Sequence, residues 1–329
     1  MKRAIVWAIA ACCGGLAAAA VAQTTSTSSG QADPAKPIRV IVPFPPAGAA
    51  DLLTRTIGQK LGESWGKQLL VDNRPGAGGN LGLELAAKAP PDGYTAVMAA
   101  VTTNAIGMST YTKLGYNLEK DLAPVTLVGN VPHILVSHPT LPAKNVKELI
   151  ALGRSRPGEI AFASQGNGTL SHLEQEMLKQ MGGFTALHVP YKGSAPGITD
   201  LISGNVQLFF DSIPSALPHV NSGRIRALGV ASSRRSPALP DIPAIGESLK
   251  GFEADSWFGI MVPAGTPRDI IVKLDSEVQK ALATQEVRER LLAVGGFVQA
   301  GGPEQLAERI RADIAKWGKV ARAANVRIE

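Results

Sequence analysis

Two short runs of small residues carry the chemistry most open to this chain. Phe44-Pro45-Pro46-Ala47-Gly48-Ala49-Ala50 and Ser164-Gln165-Gly166-Asn167-Gly168-Thr169 each follow a strand-like segment and precede a stretch with helical spacing. Small side chains let backbone N–H groups approach a ligand, and a helix start adds unpaired donors and partial positive charge. Such a loop can grip a carboxylate or a phosphate. Taken singly, each is also what an ordinary strand-to-helix turn looks like, since Gly and Pro are common turn formers. Two of them, in matching positions of two halves, point to binding.

Other residues divide between a ligand role and a structural one. Asp51 falls in a first helical turn, where an acid complements the macrodipole, and can reach a ligand through water. Ser164 and Thr169 either donate hydroxyls to a carboxylate or cap the following helix. His172 reads as a packed or solvated histidine that can also face a cleft. Asp211 ends a strand, placing it at a cleft or at the start of the next turn. Tyr191-Lys192-Gly193-Ser194 follows a strand directly, so Lys192 is either solvated or complements an anion.

Enzyme signatures fail. A nucleophile elbow requires Gly-x-Ser-x-Gly, but Phe162 stands where the first Gly of Phe162-Ala163-Ser164-Gln165-Gly166 belongs. A dinucleotide fingerprint begun at Gly76-Ala77-Gly78 meets Leu81 where its third Gly is needed, and Gly166-Asn167-Gly168 misses it too. His133, His138, His172, His188 and His219 are dispersed, with no paired metal ligands on one helix. We therefore expect no catalytic residues, no metal and no cofactor.

The elements that position the two loops alternate. Residues 38–42 are β-branched and nearly continuous, the look of a strand buried on both faces. A helix over 51–61, a strand over 69–72, a turn-rich loop 75–79, a helix over 81–89 stopped by Pro90-Pro91 and a strand over 95–100 follow. This β-α-β-α-β order favours a parallel sheet. It restarts with strands over 159–163, 187–190, 206–211 and 225–231 and helices over 170–181 and 197–203. Residues 268–292 and 303–325 read as helices. Residues 134–136 and 258–262 read as strands crossing between two halves. The fold class predicted is α/β, two doubly wound lobes joined by two crossing strands with a ligand cleft between them. Residues 37–135 and 255–329 form lobe 1, and 136–254 form lobe 2.

The N-terminus speaks to the compartment. Met1-Lys2-Arg3 precedes an apolar run to Val21, and Ala20-Val21-Ala22 supplies a small-x-small cleavage pattern, so residues 1–22 read as a signal peptide. Lipidation at Cys12, after Ile9-Ala10-Ala11, is disfavoured because the apolar stretch ahead of it begins only at Ala4. Residues 23–36 read as a flexible linker. Both cysteines, Cys12 and Cys13, lie in the removable segment, which excludes disulfide and thiol chemistry from the mature chain. Lys and Arg number 33 against 27 Asp and Glu, and aromatics are 5%. That balance suits a small anion rather than a nucleic acid. No later run is long enough to span a bilayer.

Several blocks in order are also recognisable. Val42-Pro43-Phe44-Pro45-Pro46-Ala47-Gly48-Ala49-Ala50-Asp51, Asp72-Asn73-Arg74-Pro75-Gly76-Ala77-Gly78-Gly79-Asn80, Pro91-Asp92-Gly93-Tyr94-Thr95, His188-Val189-Pro190-Tyr191-Lys192-Gly193-Ser194 and Pro263-Ala264-Gly265-Thr266-Pro267 resemble the tripartite tricarboxylate transporter substrate-binding proteins, the Bug family. The resemblance implies a type II periplasmic binding protein, a monomer that closes on a small organic acid. Delivery to membrane permease subunits is implied, with presentation to a sensor kinase as the alternative. It implies that Phe44, Ala47, Gly48 and Ala49 share the ligand carboxylates with Ser164, Asn167, Gly168 and Thr169. Ala47 stands where the family usually has Gly, and Thr103-Asn104-Ala105-Ile106-Gly107 departs from Thr-His-Ala-Ile-Asn near the expected pocket.

Overall fold

The computed structural model describes residues 34–329. The expected signal peptide, the lipidation alternative at Cys12 and the linker as far as residue 33 lie outside the described residues. The end of the expected linker is held in place. Lys36 Nζ stands 4.2 Å above the Tyr94 ring and 3.8 Å from Asp92, and the Ala35 N–H donates to the Tyr94 hydroxyl.

In chain order the strands are β1 (Arg39–Val42), β2 (Leu70–Asn73), β3 (Thr95–Ala100), β4 (Leu122–Asn130), β5 (His133–Ser137) and β6 (Ala161–Ser164). They continue with β7 (Leu187–Pro190), β8 (Leu208–Ser212), β9 (Arg226–Val230), β10 (Trp257–Pro263) and β11 (Phe297–Gly301). One sheet runs β2-β1-β3-β10-β4-β11 and the other β7-β6-β8-β5-β9. In the first, β1 is parallel to β2 and β3, with Val40 opposite Val71 and Ala96, and β10 lies antiparallel between β3 and β4. In the second, β6 is parallel to β7 and β8, with Ala163 opposite Val189 and Phe209, and β5 lies antiparallel between β8 and β9. In each sheet the strand that arrives from the other lobe, β10 or β5, is inserted reversed among parallel strands, and the first sheet ends on a second reversed strand, β11. The two-lobed α/β architecture expected from the sequence is the one found.

The crossings are displaced from their expected places. Ile134 and Leu135 pair with Asp211 and Phe210, so β5 belongs wholly to the second sheet and the chain crosses at Val131-Pro132. The return crossing runs just ahead of β10. The two lie side by side: the Val131 N–H donates to the Ser256 carbonyl at 3.0 Å, while the Ala231 N–H, donating to the His133 carbonyl at 2.8 Å, continues the β5–β9 pairing up to the first crossing. The expected helix over 268–292 is two helices, Arg268–Ala283 and Gln285–Ala293. Thr284 is extended between them, and its hydroxyl accepts the Val287 N–H, ending one helix while capping the next.

Burial explains the strand composition. Ile41 and Val42 are fully buried, as a parallel strand covered on both faces requires. One apolar cluster runs through both lobes, from Ile41 and Val97 to Leu135 and Phe162, and takes in Trp257 and Trp317. Separate clusters fill the far side of each sheet. The return crossing is tied to the helix Pro303–Ala323: Trp257 Nε1 donates to Asp313 at 2.6 Å, while Arg309 reaches Asp313 at 2.8 Å and Asp255 at 3.1 Å.

Candidate ligand-binding cleft

The first loop leaves β1 and enters the helix Ala49–Trp65. No side chain caps this helix, and Leu52 is the first residue of its opening turn whose N–H finds a carbonyl, that of Gly48. Among the described residues the amides of Ala49, Ala50 and Asp51 have no acceptor. Asp51 is buried, and its carboxylate organises the loop from beneath. Oδ2 accepts the Ala47 N–H at 3.0 Å and Arg55 Nε at 3.0 Å, while Oδ1 accepts Asn73 Nδ2, which also reaches the Phe44 carbonyl. Burial opposes its charge, but hydrogen bonds from Arg55, Ala47 and Asn73, with the Arg55 charge, hold its carboxyl below the usual range. Ala47 sits at φ 64°, a left-handed conformation that suits glycine. Phe44 is half-buried, and a Cβ on Gly79 would stand 3.3 Å from its ring and 2.5 Å from Thr103 Cγ2. Thr103 is fully buried, with its hydroxyl 2.7 Å from Asn104 Oδ1, so it packs the loop and offers the cleft no donor.

The second loop, 164–169, joins β6 to the helix Leu170–Gly182 and spends most of its polar groups internally. Ser164 Oγ accepts the Gly166 N–H at 3.2 Å and lies 2.6 Å from His188 Nε2. The Gly168 N–H donates to His172 Nδ1 at 3.1 Å. Thr169 is the N-cap, with its hydroxyl donating to the Gly166 carbonyl at 2.8 Å and accepting the His172 N–H. His172 and His188 stack with centroids 3.8 Å apart. Burial, with the charges of His188 and Lys179, pulls His172 down to about 3; burial and Lys179 pull His188 down to about 4. Both rings are therefore neutral near pH 7, and they brace the loop. Asn167 is different. It is exposed, and among the described residues neither its amide N–H nor its side chain has a partner.

Asp211 and Tyr191 are engaged elsewhere. Asp211 is fully buried and accepts Gln165 Nε2 at 2.5 Å and Ser194 Oγ at 2.6 Å, joining two loops of the second lobe from below. Burial pushes its carboxyl up, against the bonds from Ser194 and Gln165. The Tyr191 hydroxyl donates to Asp200 at 2.7 Å, and burial with that carboxylate raises it to about 12.

The two lobes meet at these loops. A Cβ on Gly193 would stand 3.7 Å from Pro45 Cγ, across from one lobe to the other. The Leu170 N–H donates to Thr102 Oγ1 at 3.3 Å, joining the second helix start to a π turn, Thr102–Ile106, that follows β3. Gly168 faces Thr110 and Ile328: a Cβ there would stand 3.0 Å from Thr110 Oγ1 and 2.3 Å from Ile328 Cδ1, and its φ of 66° also favours glycine. Sequence reading missed Thr102, Thr110, Ile328 and the bracing role of His188. A threonine in a π turn and an isoleucine near the end of the chain carry no local sign of such contacts.

With this geometry in hand, known proteins are informative. The sequence profile of the Tripartite tricarboxylate transporter family receptor matches residues 53–326. The protein BugT of Bordetella pertussis is 37% identical over 298 residues, covering 90% of this chain and 91% of that one. The structure of R. palustris Rpa4515 with adipate superposes with a TM-score of 0.85 at 35% identity, covering 89% of this chain and 99% of that one. MatC (Rpa3494) from Rhodopseudomonas palustris with bound malate gives 0.80 at 31%, covering 87% and 99%. Across nearly its whole described length, then, this chain belongs to the tripartite tricarboxylate transporter receptor family, the Bug-type periplasmic solute-binding proteins.

Proposed function

We propose that this protein captures a small organic carboxylate between its two lobes in the periplasm and delivers it to a tripartite tricarboxylate-type permease. The observation that carries the reading is the set of unpartnered amides at Ala49, Ala50 and Asp51, beside a loop that touches the opposite lobe at Pro45 and Gly193. Amides at a helix start suit a carboxylate without a paired cation. Asn167 supplies the matching free group on the second lobe, and Lys192, exposed and without an ion pair among the described residues, adds positive potential beside Gly193.

The ligands of the relatives, adipate and malate, support a dicarboxylate. One carboxylate is held by the first-lobe amides and the other by Asn167, so an acid bridging both loops favours the closed form over the open one. That difference in affinity is what drives closure. The side chains of Asp51, Asp211 and Thr103 hold the loops in shape, and the ligand meets only the backbone N–H of Asp51.

A thermal-shift screen of the mature protein against mono-, di- and tricarboxylates tests capture, because a ligand of the folded state raises its unfolding midpoint. A dicarboxylate is expected to give the largest shift; no shift with any acid at millimolar concentration would overturn the reading. Uptake of the labelled acid by a deletion strain tests delivery. Uptake should fall, and undiminished uptake by pre-induced cells would assign the protein to sensing instead.

A further inference from the structure

A second concave site lies on lobe 1, where the helix Pro303–Ala323 ends against the segment 108–112. It has a volume of about 710 Å³ and is lined by Ser109, Thr112, Ile314, Arg322, Val326 and Arg327, among others. That volume falls within the range of small-molecule pockets.

The charges in it are unusual. Arg322 and Arg327 are both exposed, and among the described residues neither has an ion pair or a hydrogen bond to its side chain. Of the cations nearer the start of the same helix, Arg309 is engaged by Asp313 and Asp255 and Lys316 lies 3.9 Å from Glu253, while Arg311 and Lys319 do not line the groove. The hydroxyls of Thr110 and Thr112 are directed to the carbonyls of Ile106 and Ile328. The two guanidinium groups are therefore the strong donors left over.

The backbone brings them together and removes what would repel an anion. The helix ends in a left-handed turn at Asn325, φ 53°. The Asn325 N–H bonds the Arg322 carbonyl and the Val326 N–H the Ala321 carbonyl, the paired bonds of a Schellman motif. These bonds occupy terminal carbonyls whose partial negative charge would face the site. The chain then returns beside 110–112, with the Ile328 N–H donating to the Thr110 carbonyl at 2.8 Å and the Thr112 N–H to the Ile328 carbonyl at 2.9 Å. Arg327 is thereby carried back to the groove that Arg322 overlooks.

We propose that this groove is an accessory binding site for a small multivalent anion, one bearing carboxylate or phosphate groups, held by the forked donors of Arg322 and Arg327. It is separate from the cleft, yet it shares a wall with it. Thr110, which lines the groove, and Ile328, whose backbone is bonded to Thr110 and Thr112 beside it, are the residues that meet Gly168 of the second lobe. An anion seated there stiffens the strip against which the second-lobe loop closes.

Citrate and inorganic phosphate are the probes. Each is titrated calorimetrically at low ionic strength into the wild type, Arg322→Gln/Arg327→Gln and Ala49→Pro. The site predicts that probe binding persists in Ala49→Pro and weakens at least tenfold in the double glutamine variant, whose cleft ligand still binds as in the wild type. Arg322→Lys/Arg327→Lys should recover only part of the affinity, since lysine keeps the charge without the fork. The reverse pattern, with loss in Ala49→Pro and none in the double variant, would place all anion binding in the cleft and overturn the proposal. So would the absence of any heat in the wild type. Because the cleft ligand is measured in parallel, failure of the accessory site leaves the capture reading intact and separately scored.

Discussion

Replacing Ala49 by proline isolates one amide of the first-lobe loop. Gly48 already has φ −80° and ψ 173°, the extended conformation that a following proline demands. Ala49 is the first helical residue, where proline's fixed φ is tolerated and its missing N–H breaks no helical bond. The N–H removed has no acceptor among the described residues, so stability should stay within about 0.5 kcal/mol of the wild type. If that amide donates to the ligand carboxylate, its loss removes one hydrogen bond to a charged group, about 1.5–3 kcal/mol. That corresponds to a roughly ten- to hundredfold rise in Kd. Calorimetric titration with the dicarboxylate giving the largest thermal shift reads the affinity, and urea unfolding reads the stability. An unchanged Kd in a variant of wild-type stability would refute the assignment of carboxylate capture to this helix start.

Four further outcomes follow from the same structure. Ala47→Gly relieves a left-handed alanine and should stabilise the protein by up to about 1 kcal/mol, net of glycine's greater freedom when unfolded, read as a higher urea midpoint at constant slope. Gly168→Val should weaken ligand binding severalfold by driving a side chain into Ile328, and adding Ile328→Ala should restore part of it; equal affinities in both variants would exclude the contact. Asp313→Ala leaves a largely buried Arg309 with Asp255 as its one remaining partner and Trp257 Nε1 without its acceptor, so unfolding free energy should drop by about 3 kcal/mol in a denaturant titration. His172 and His188, depressed to about 3 and about 4 in the folded state, bind fewer protons than the unfolded chain below about pH 6.5. Stability present above that pH should fall progressively toward pH 3, and His188→Asn should flatten the profile measured by urea midpoints.

The parallel strands were legible because burial on both faces leaves an unbroken β-branched or apolar run, as in Val40-Ile41-Val42. Loops 44–50 and 164–169 were legible because close backbone approach restricts side-chain size. What escaped the sequence depends on partners far along the chain. β4 and β11 pair with strands distant in sequence, and their mixed compositions carry no period of their own. The split at Thr284 turns on one hydroxyl that both ends and begins a helix. The roles of individual site residues were the least legible. Asp51, Thr103, Tyr191 and Asp211 have side chains a ligand would accept, and each is engaged by a neighbour: Asp51 by Arg55, Thr103 by Asn104, Tyr191 by Asp200, Asp211 by Ser194. Asn167 drew no separate notice within its loop, yet it is the residue left free there.

The side-by-side crossings at Val131 and Ser256 have a mechanical meaning. Two peptide segments bonded to each other behave as a flat strap, pliant across its width and stiff in its own plane and against torsion. Pinned at Trp257 by Asp313, such a strap would restrict the closure proposed above to one sense of rotation, returning Pro45 to Gly193 and Gly168 to Ile328. An acid of the wrong length would then not be accommodated by skewing the jaws. Under the proposed capture, selection among ligands would be set by the span between two rims, in the manner of a caliper, before any side chain in the cleft is consulted.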